Sequence, residues 1–122
     1  MDMTKRILII DDDPRNIFAL GATLKAKKYQ IDSCESAKEA LALLQTEAEF
    51  DVVLIDMMMP EMDGYDAIPL IRKIPSRIST PIIAVTAQAM TGDREKCLDA
   101  GADDYLSKPV DVDQLFRLLQ TI

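Results

Sequence analysis

The chain has no histidine and only two cysteines in 122 residues. Cys34 and Cys97 stand far apart with no CxxC pairing. A zinc centre built on His and Cys, or a disulfide framework, is therefore not expected. Both thiols read instead as small apolar core residues in a reducing compartment. There is no excess of positive charge, since 14 Lys and Arg face 21 Asp and Glu for a net charge of −7. Nucleic acid and anionic membrane surfaces call for a basic footprint, so neither is an expected direct partner. No apolar run approaches the roughly 18 residues of a membrane helix. No signal-type h-region precedes the first strand-like segment, so the cytoplasm is the expected location. Linkers, low-complexity tracts and internal repeats are also missing.

What is present fits one globular domain over residues 1–122, with 48% hydrophobic and 29% charged residues. Apolar runs alternate with amphipathic stretches. Ile7–Ile10, Val52–Ile55 and Pro81–Val85 read as buried strands; Tyr29–Ser33 is a more polar strand, and Asp104–Leu106 a brief last one. Helical stripes fall at Ile17, Leu20, Gly21 and Leu24, at Ala37, Ala40, Leu41, Leu44 and Ala48, and at Tyr65, Ile68 and Ile71 within about 63–74. A fourth helix covers about 92–100 and stops at Gly101. The fifth carries Val112, Leu115, Phe116, Leu119 and Ile122. Ser36 with Glu39, and Asp111 with Gln114, have capping-box spacing. Pro69 fits poorly, because an interior proline costs about 3 kcal/mol; a kink or a late helix start is predicted. Unbroken Ile/Val/Leu strands alternating with helices predict an α/β, doubly wound three-layer domain around a five-stranded parallel sheet.

In such a sheet, ligands bind beyond the carboxyl ends of the strands. There the sequence places Asp11, Asp12 and Asp13 after the first strand, Asp56 after the third, Thr86 and Ala87 after the fourth, and Ser107, Lys108 and Pro109 after the fifth. Singly, each has a plain reading. Asp13-Pro14 is an ordinary helix start, Asp11 and Asp12 suit a solvated turn, Asp56 ends a strand, and Lys108 is a surface lysine. Jointly they gather carboxylates that repel one another. Compensation comes from a cation, a raised pKa or Lys108, and a hard divalent ion on oxygen ligands fits best. Mg²⁺ usually takes one or two protein carboxylates and keeps waters and phosphate oxygens.

The segments ILIIDDDP, VVLIDMMMPEMDG, IIAVTA and GADDYLSKP, in this order, resemble the receiver domain of bacterial response regulators. The stretch TAQAMTGDREKCLDAGADDYLSKPVD is similar to receivers of hybrid sensor histidine kinases. The resemblance implies a flavodoxin-like strand order 2-1-3-4-5 flanked by five helices. It implies Asp56 as phosphoacceptor, Asp12 as direct Mg²⁺ ligand, Asp11 as holder of metal-bound water, and a backbone carbonyl ligand from Met58. Thr86 would be the switch hydroxyl with the Ala87 N–H beside it, Lys108 the phosphoryl-pairing lysine and Tyr105 the aromatic switch. Lys108-Pro109 would be a cis peptide bond. Mg²⁺ is the implied cofactor, with Mn²⁺ as a substitute. The implied donor is a histidine kinase or histidine phosphotransfer domain, and the implied output face is the fourth helix, fifth strand and fifth helix. Met58 and Gln88 would govern how water reaches the phosphorus. The implied activity is a self-dephosphorylating switch and not a turnover enzyme.

Three other readings compete. A haloacid-dehalogenase-type hydrolase needs an aspartate two residues after its nucleophile, where Met58 stands. A flavin-binding domain needs a Ser/Thr/Gly-rich phosphate loop after the first strand. A degenerate receiver would serve only as an interaction module, against which Asp12, Asp56, Thr86 and Lys108 stand together.

Overall fold

A computed structural model describes residues 5–87 and 92–122. The elements alternate as β1 (Arg6–Ile10), α1 (Pro14–Ala26), β2 (Gln30–Cys34), α2 (Ala37–Leu44), β3 (Val52–Asp56), α3 (Gly64–Arg72), a 3-10 turn (Pro75–Arg77), β4 (Ile82–Thr86), α4 (Asp93–Ala100), β5 (Asp104–Ser107) and α5 (Val112–Gln120). All strand pairs are parallel, in the order β2-β1-β3-β4-β5. This is the predicted doubly wound sheet, with strand ends shifted by a residue from the predicted bounds.

Every residue of β3 and β4 is buried, as expected of strands covered on both faces. Alternation along the strands splits the core in two. One half places Leu8, Ile10, Val53, Ile55 and Ala84 against Ala40, Leu44, Ile68, Ile71 and Cys97. The other places Ile7, Ile9, Leu54 and Ile83 against Leu24, Leu115 and Leu119. Full burial of each such Leu or Ile side chain contributes about 1.5–3 kcal/mol. Cys34 and Cys97 are buried free thiols, as predicted.

The caps behave as local chemistry dictates. Asp13 accepts from the Arg15 N–H at 2.9 Å, and Pro14 occupies the first turn. Ser36 accepts from the Glu39 N–H at 3.1 Å, while the Glu39 carboxylate reaches back to the N–H of Glu35, not of Ser36. Asp111 accepts from the N–H groups of Asp113 and Gln114.

Three expectations need correction. α2 ends at Leu44, so Ala48 packs on the core from the following loop. α3 neither starts late nor reaches Ile74. Asp63 caps it, accepting from the Asp66 N–H at 3.0 Å, and it runs through Pro69 to Arg72. Pro69 lies on the exposed face of the helix. Ile122 lies beyond α5 and is exposed.

Two arginines tie the connections together. Arg77 is buried at 5% exposure, and its guanidinium donates to the carbonyls of Leu44, Thr46 and Ala48 beyond α2. Arg72 donates twice to the Gly101 carbonyl, at 3.0 and 2.9 Å, where α4 ends in a left-handed residue.

Candidate functional site

Parallel register brings the predicted site residues to one edge. Ile10 pairs with Ile55, so Asp11 and Asp56, one step further along each chain, emerge side by side. Asp56 pairs with Val85, which places Thr86 just beyond it, and Thr86 pairs with Ser107, which places Lys108 next. The Thr86 carbonyl accepts from the Lys108 N–H at 2.7 Å. The Lys108-Pro109 peptide bond is cis.

Asp56 and Asp11 are buried, while Asp12 is exposed. One carboxylate oxygen from each of the three lies within 4.8 Å of the others. The ammonium of Lys108 donates to Asp56 Oδ2 at 3.2 Å and to Asp11 Oδ2 at 3.5 Å. Asp56 Oδ1 accepts from the Met58 N–H at 3.0 Å, and Asp11 Oδ1 from the Asp13 N–H at 2.9 Å. Each buried carboxylate is thus held on both oxygens.

The electrostatics follow from crowding. Burial pushes the Asp56 carboxyl above its ordinary value, opposed by the Met58 N–H and the Lys108 charge and reinforced by the Asp11 charge. Burial also lowers Lys108, but Asp56 and Asp11 outweigh it and the amine ends above its ordinary value. One ammonium against three carboxylates leaves the cluster net negative. The donor set is all oxygen, which suits a hard divalent cation.

The remaining predicted residues lie around this centre. Thr86 is fully buried and Ala87 exposed. Met58 is half-exposed, at 50%, in the loop after β3. Tyr105 is partly buried against the core half that includes Cys97 and Ala84. Gln88 lies outside the described residues.

Two features were not read from the sequence. A cleft of about 500 Å³ runs from Asp11, Asp56 and Lys108 between α1 and the β5–α5 connection, past Asn16, Leu20 and Val110. Its walls belong to elements distant in sequence, and no motif spans them. The second is the tight seating of Gly64 on Met57, for which the DG pair after the MMMP run was the available signal.

Comparison with known proteins places the chain in a family. The family model for the response regulator receiver domain matches residues 7–120. The chain is 41% identical over 113 residues to the signal transduction histidine-protein kinase BarA of Escherichia coli, covering 93% of this chain and 12% of BarA. It superposes on the receiver domain of the sensor histidine kinase PA1611 of Pseudomonas aeruginosa with a TM-score of 0.88 and 36% identity, covering 97% of this chain and 96% of that one. That receiver holds a magnesium ion in its active-site cleft. It also superposes on the receiver domain of the Saccharomyces cerevisiae response regulator Ssk1, solved with the histidine phosphotransfer protein Ypd1. That match has a TM-score of 0.87 and 25% identity, covering 96% of this chain and 87% of that one. Among the described residues no helix is long and apolar enough to cross a membrane. With its 2-1-3-4-5 sheet, its carboxylates at the β1 and β3 ends and a family match over nearly its whole length, the chain belongs to the response regulator receiver domains of two-component signalling.

Proposed function

We propose that residues 1–122 form one receiver domain that takes a phosphoryl group from a phosphohistidine onto Asp56. The observation that carries this is the contact of Lys108 with a buried Asp56 carboxylate inside a three-carboxylate cluster. In the transfer, an Asp56 oxygen forms the new O–P bond as the N–P bond breaks, and the electron pair returns to the imidazole nitrogen. Such a step needs positioning and charge neutralisation more than covalent chemistry. Mg²⁺, or Mn²⁺ in its place, would neutralise charge on the transferring group when bound. Asp12 and Asp56 would hold it directly, Asp11 through water, and Met58 through its carbonyl. Lys108 pairs with the phosphoryl oxygens, while the Thr86 hydroxyl and the Ala87 N–H fix their orientation.

The acyl phosphate on Asp56 is a mixed anhydride and is slowly hydrolysed in place, so the domain works as a switch and not as a turnover enzyme. Phosphorylation adds nearly two negative charges and new acceptor oxygens. Thr86 moves toward them and Tyr105 fills the space that opens. Alternation along β4 puts Thr86 on the face of Ala84, the side against which Tyr105 packs, which supports this coupling. The output is an altered α4, β5 and α5 surface, a shift between two packings. The phosphodonor is a histidine kinase or histidine phosphotransfer domain, the target is a protein, and the setting is the cytoplasm.

The test is phosphotransfer from a phosphorylated histidine kinase or phosphotransfer domain with Mg²⁺ present. Label is expected on the parent chain and lost in Asp56→Asn; label surviving in Asp56→Asn would assign the acceptor elsewhere.

A further inference from the structure

We propose that Gly64 is a positioning residue for the acidic site, because its missing Cβ lets the first turn of α3 lie directly on the backbone that follows Asp56. This inference rests on the phosphoacceptor reading of Asp56.

The geometry is steric. A Cβ at Gly64 would overlap Met57 Sδ and would stand 2.9 Å from Met57 Cα and 3.2 Å from the Asp56 carbonyl oxygen. Gly64 is the first residue of α3, and its φ is not in the left-handed region. Alanine would therefore suit the backbone. Space is the only reason for glycine here. The sulfur is the end of a flexible side chain and can swing aside. Met57 Cα is backbone and cannot, and an approach of 2.9 Å to it is about half an ångström closer than van der Waals radii allow.

Something must yield, and the structure limits what can. α3 is anchored by Ala67, Ile68 and Ile71, each at 1% exposure or less. On the other side, the Met57 N–H donates to the Val85 carbonyl at 2.9 Å, and the Met57 carbonyl accepts from the Gly64 N–H at 3.2 Å. The peptide between these restraints is the one that aims the site. Its next N–H, from Met58, holds Asp56 Oδ1 at 3.0 Å, and the Met58 carbonyl is the proposed metal ligand. Binding constellations need their groups held within about 0.5 Å, which is the size of the displacement a methyl group would force.

The experiment is Mg²⁺ titration by calorimetry, with thermal unfolding in parallel, on the parent, Gly64→Ala and Ile71→Ala. Ile71→Ala removes core packing about two turns along α3 from Gly64 and controls for stability loss alone. Gly64→Ala is expected to weaken Mg²⁺ binding at least tenfold, and Ile71→Ala to leave it within twofold. If Gly64→Ala does not fold, Gly64→Ala with Met57→Ala vacates the sulfur position, keeps the backbone clash and carries the same tenfold expectation. Mg²⁺ affinity within twofold of the parent in the folded Gly64 variant overturns the proposal. A parent chain that binds no Mg²⁺ overturns the phosphoacceptor reading, and this inference with it.

Discussion

Replacing Lys108 with methionine tests the electrostatic account of the site most directly. In the parent, the ammonium lies 3.2 Å from Asp56 Oδ2 and 3.5 Å from Asp11 Oδ2. With an effective dielectric constant of 20, one such contact is worth about 5 kcal/mol of gross attraction, and the Asp11–Asp56 repulsion across no more than 4.8 Å about 3.5 kcal/mol. Desolvation and the 26% exposure of the lysine side chain offset most of this. A net loss of about 2 kcal/mol is the expected cost at neutral pH, in the range for hydrogen bonds to charged groups. With unfolding entropy near 2.1 cal/mol/K per residue, that lowers Tm by about 8 °C. The pH dependence gives a second signature. Asp56 already sits above its ordinary value of 3.8 in the folded chain. Without Lys108 it rises further. An acid with a raised folded pKa makes the native state bind more protons, so stability falls as pH climbs from the unfolded toward the folded value. The deficit should therefore be full at pH 7.5 and shrink as pH falls through the raised Asp56 value, where that carboxyl takes up a proton and no longer attracts the ammonium. The assay is thermal unfolding of parent and variant across pH in metal-free buffer. Equal Tm values at pH 7.5, or a deficit that persists unchanged at pH 3, would refute the reasoning.

Three further outcomes are expected. Met58→Asn should shorten the lifetime of the phosphorylated chain, because the bulky methionine cannot position water; equal or slower loss of label contradicts this. Arg77→Met should lower unfolding free energy in urea by about 3 kcal/mol, since three carbonyls lose a buried donor, while Mg²⁺ affinity at the far end of the sheet is unchanged. The thiols should be inert at pH 7.5 in the folded chain. Burial pushes Cys34 up to about 11, helped by Glu39 and Asp32, and also raises Cys97 against a hydrogen bond from Tyr65. A chromogenic disulfide reagent should label them only in denaturant, and rapid labelling without it would contradict their burial.

Much of this was legible in residue order. Unbroken apolar runs between amphipathic stretches dictate a parallel sheet covered on both sides, because a strand can bury both faces only when helices cover both. Caps such as Asp13-Pro14 and Asp111 were readable because their hydrogen bonds close within three residues. The rule that ligands bind at the carboxyl ends of strands then put Asp11, Asp12, Asp56, Thr86 and Lys108 on one edge. The late start of α3 expected from Pro69 was misread because propensity describes an isolated helix, whereas α3 is held by Ile68 and Ile71 in the core. Register and distance belonged to the tertiary structure alone. Which carboxylates lose their water, where Lys108 lands between them, and why position 64 has no room for a methyl group depend on segments separated by up to 97 residues. Local sequence sets periodicity and caps, but the dielectric and the free volume around an atom are set by whatever packs beside it.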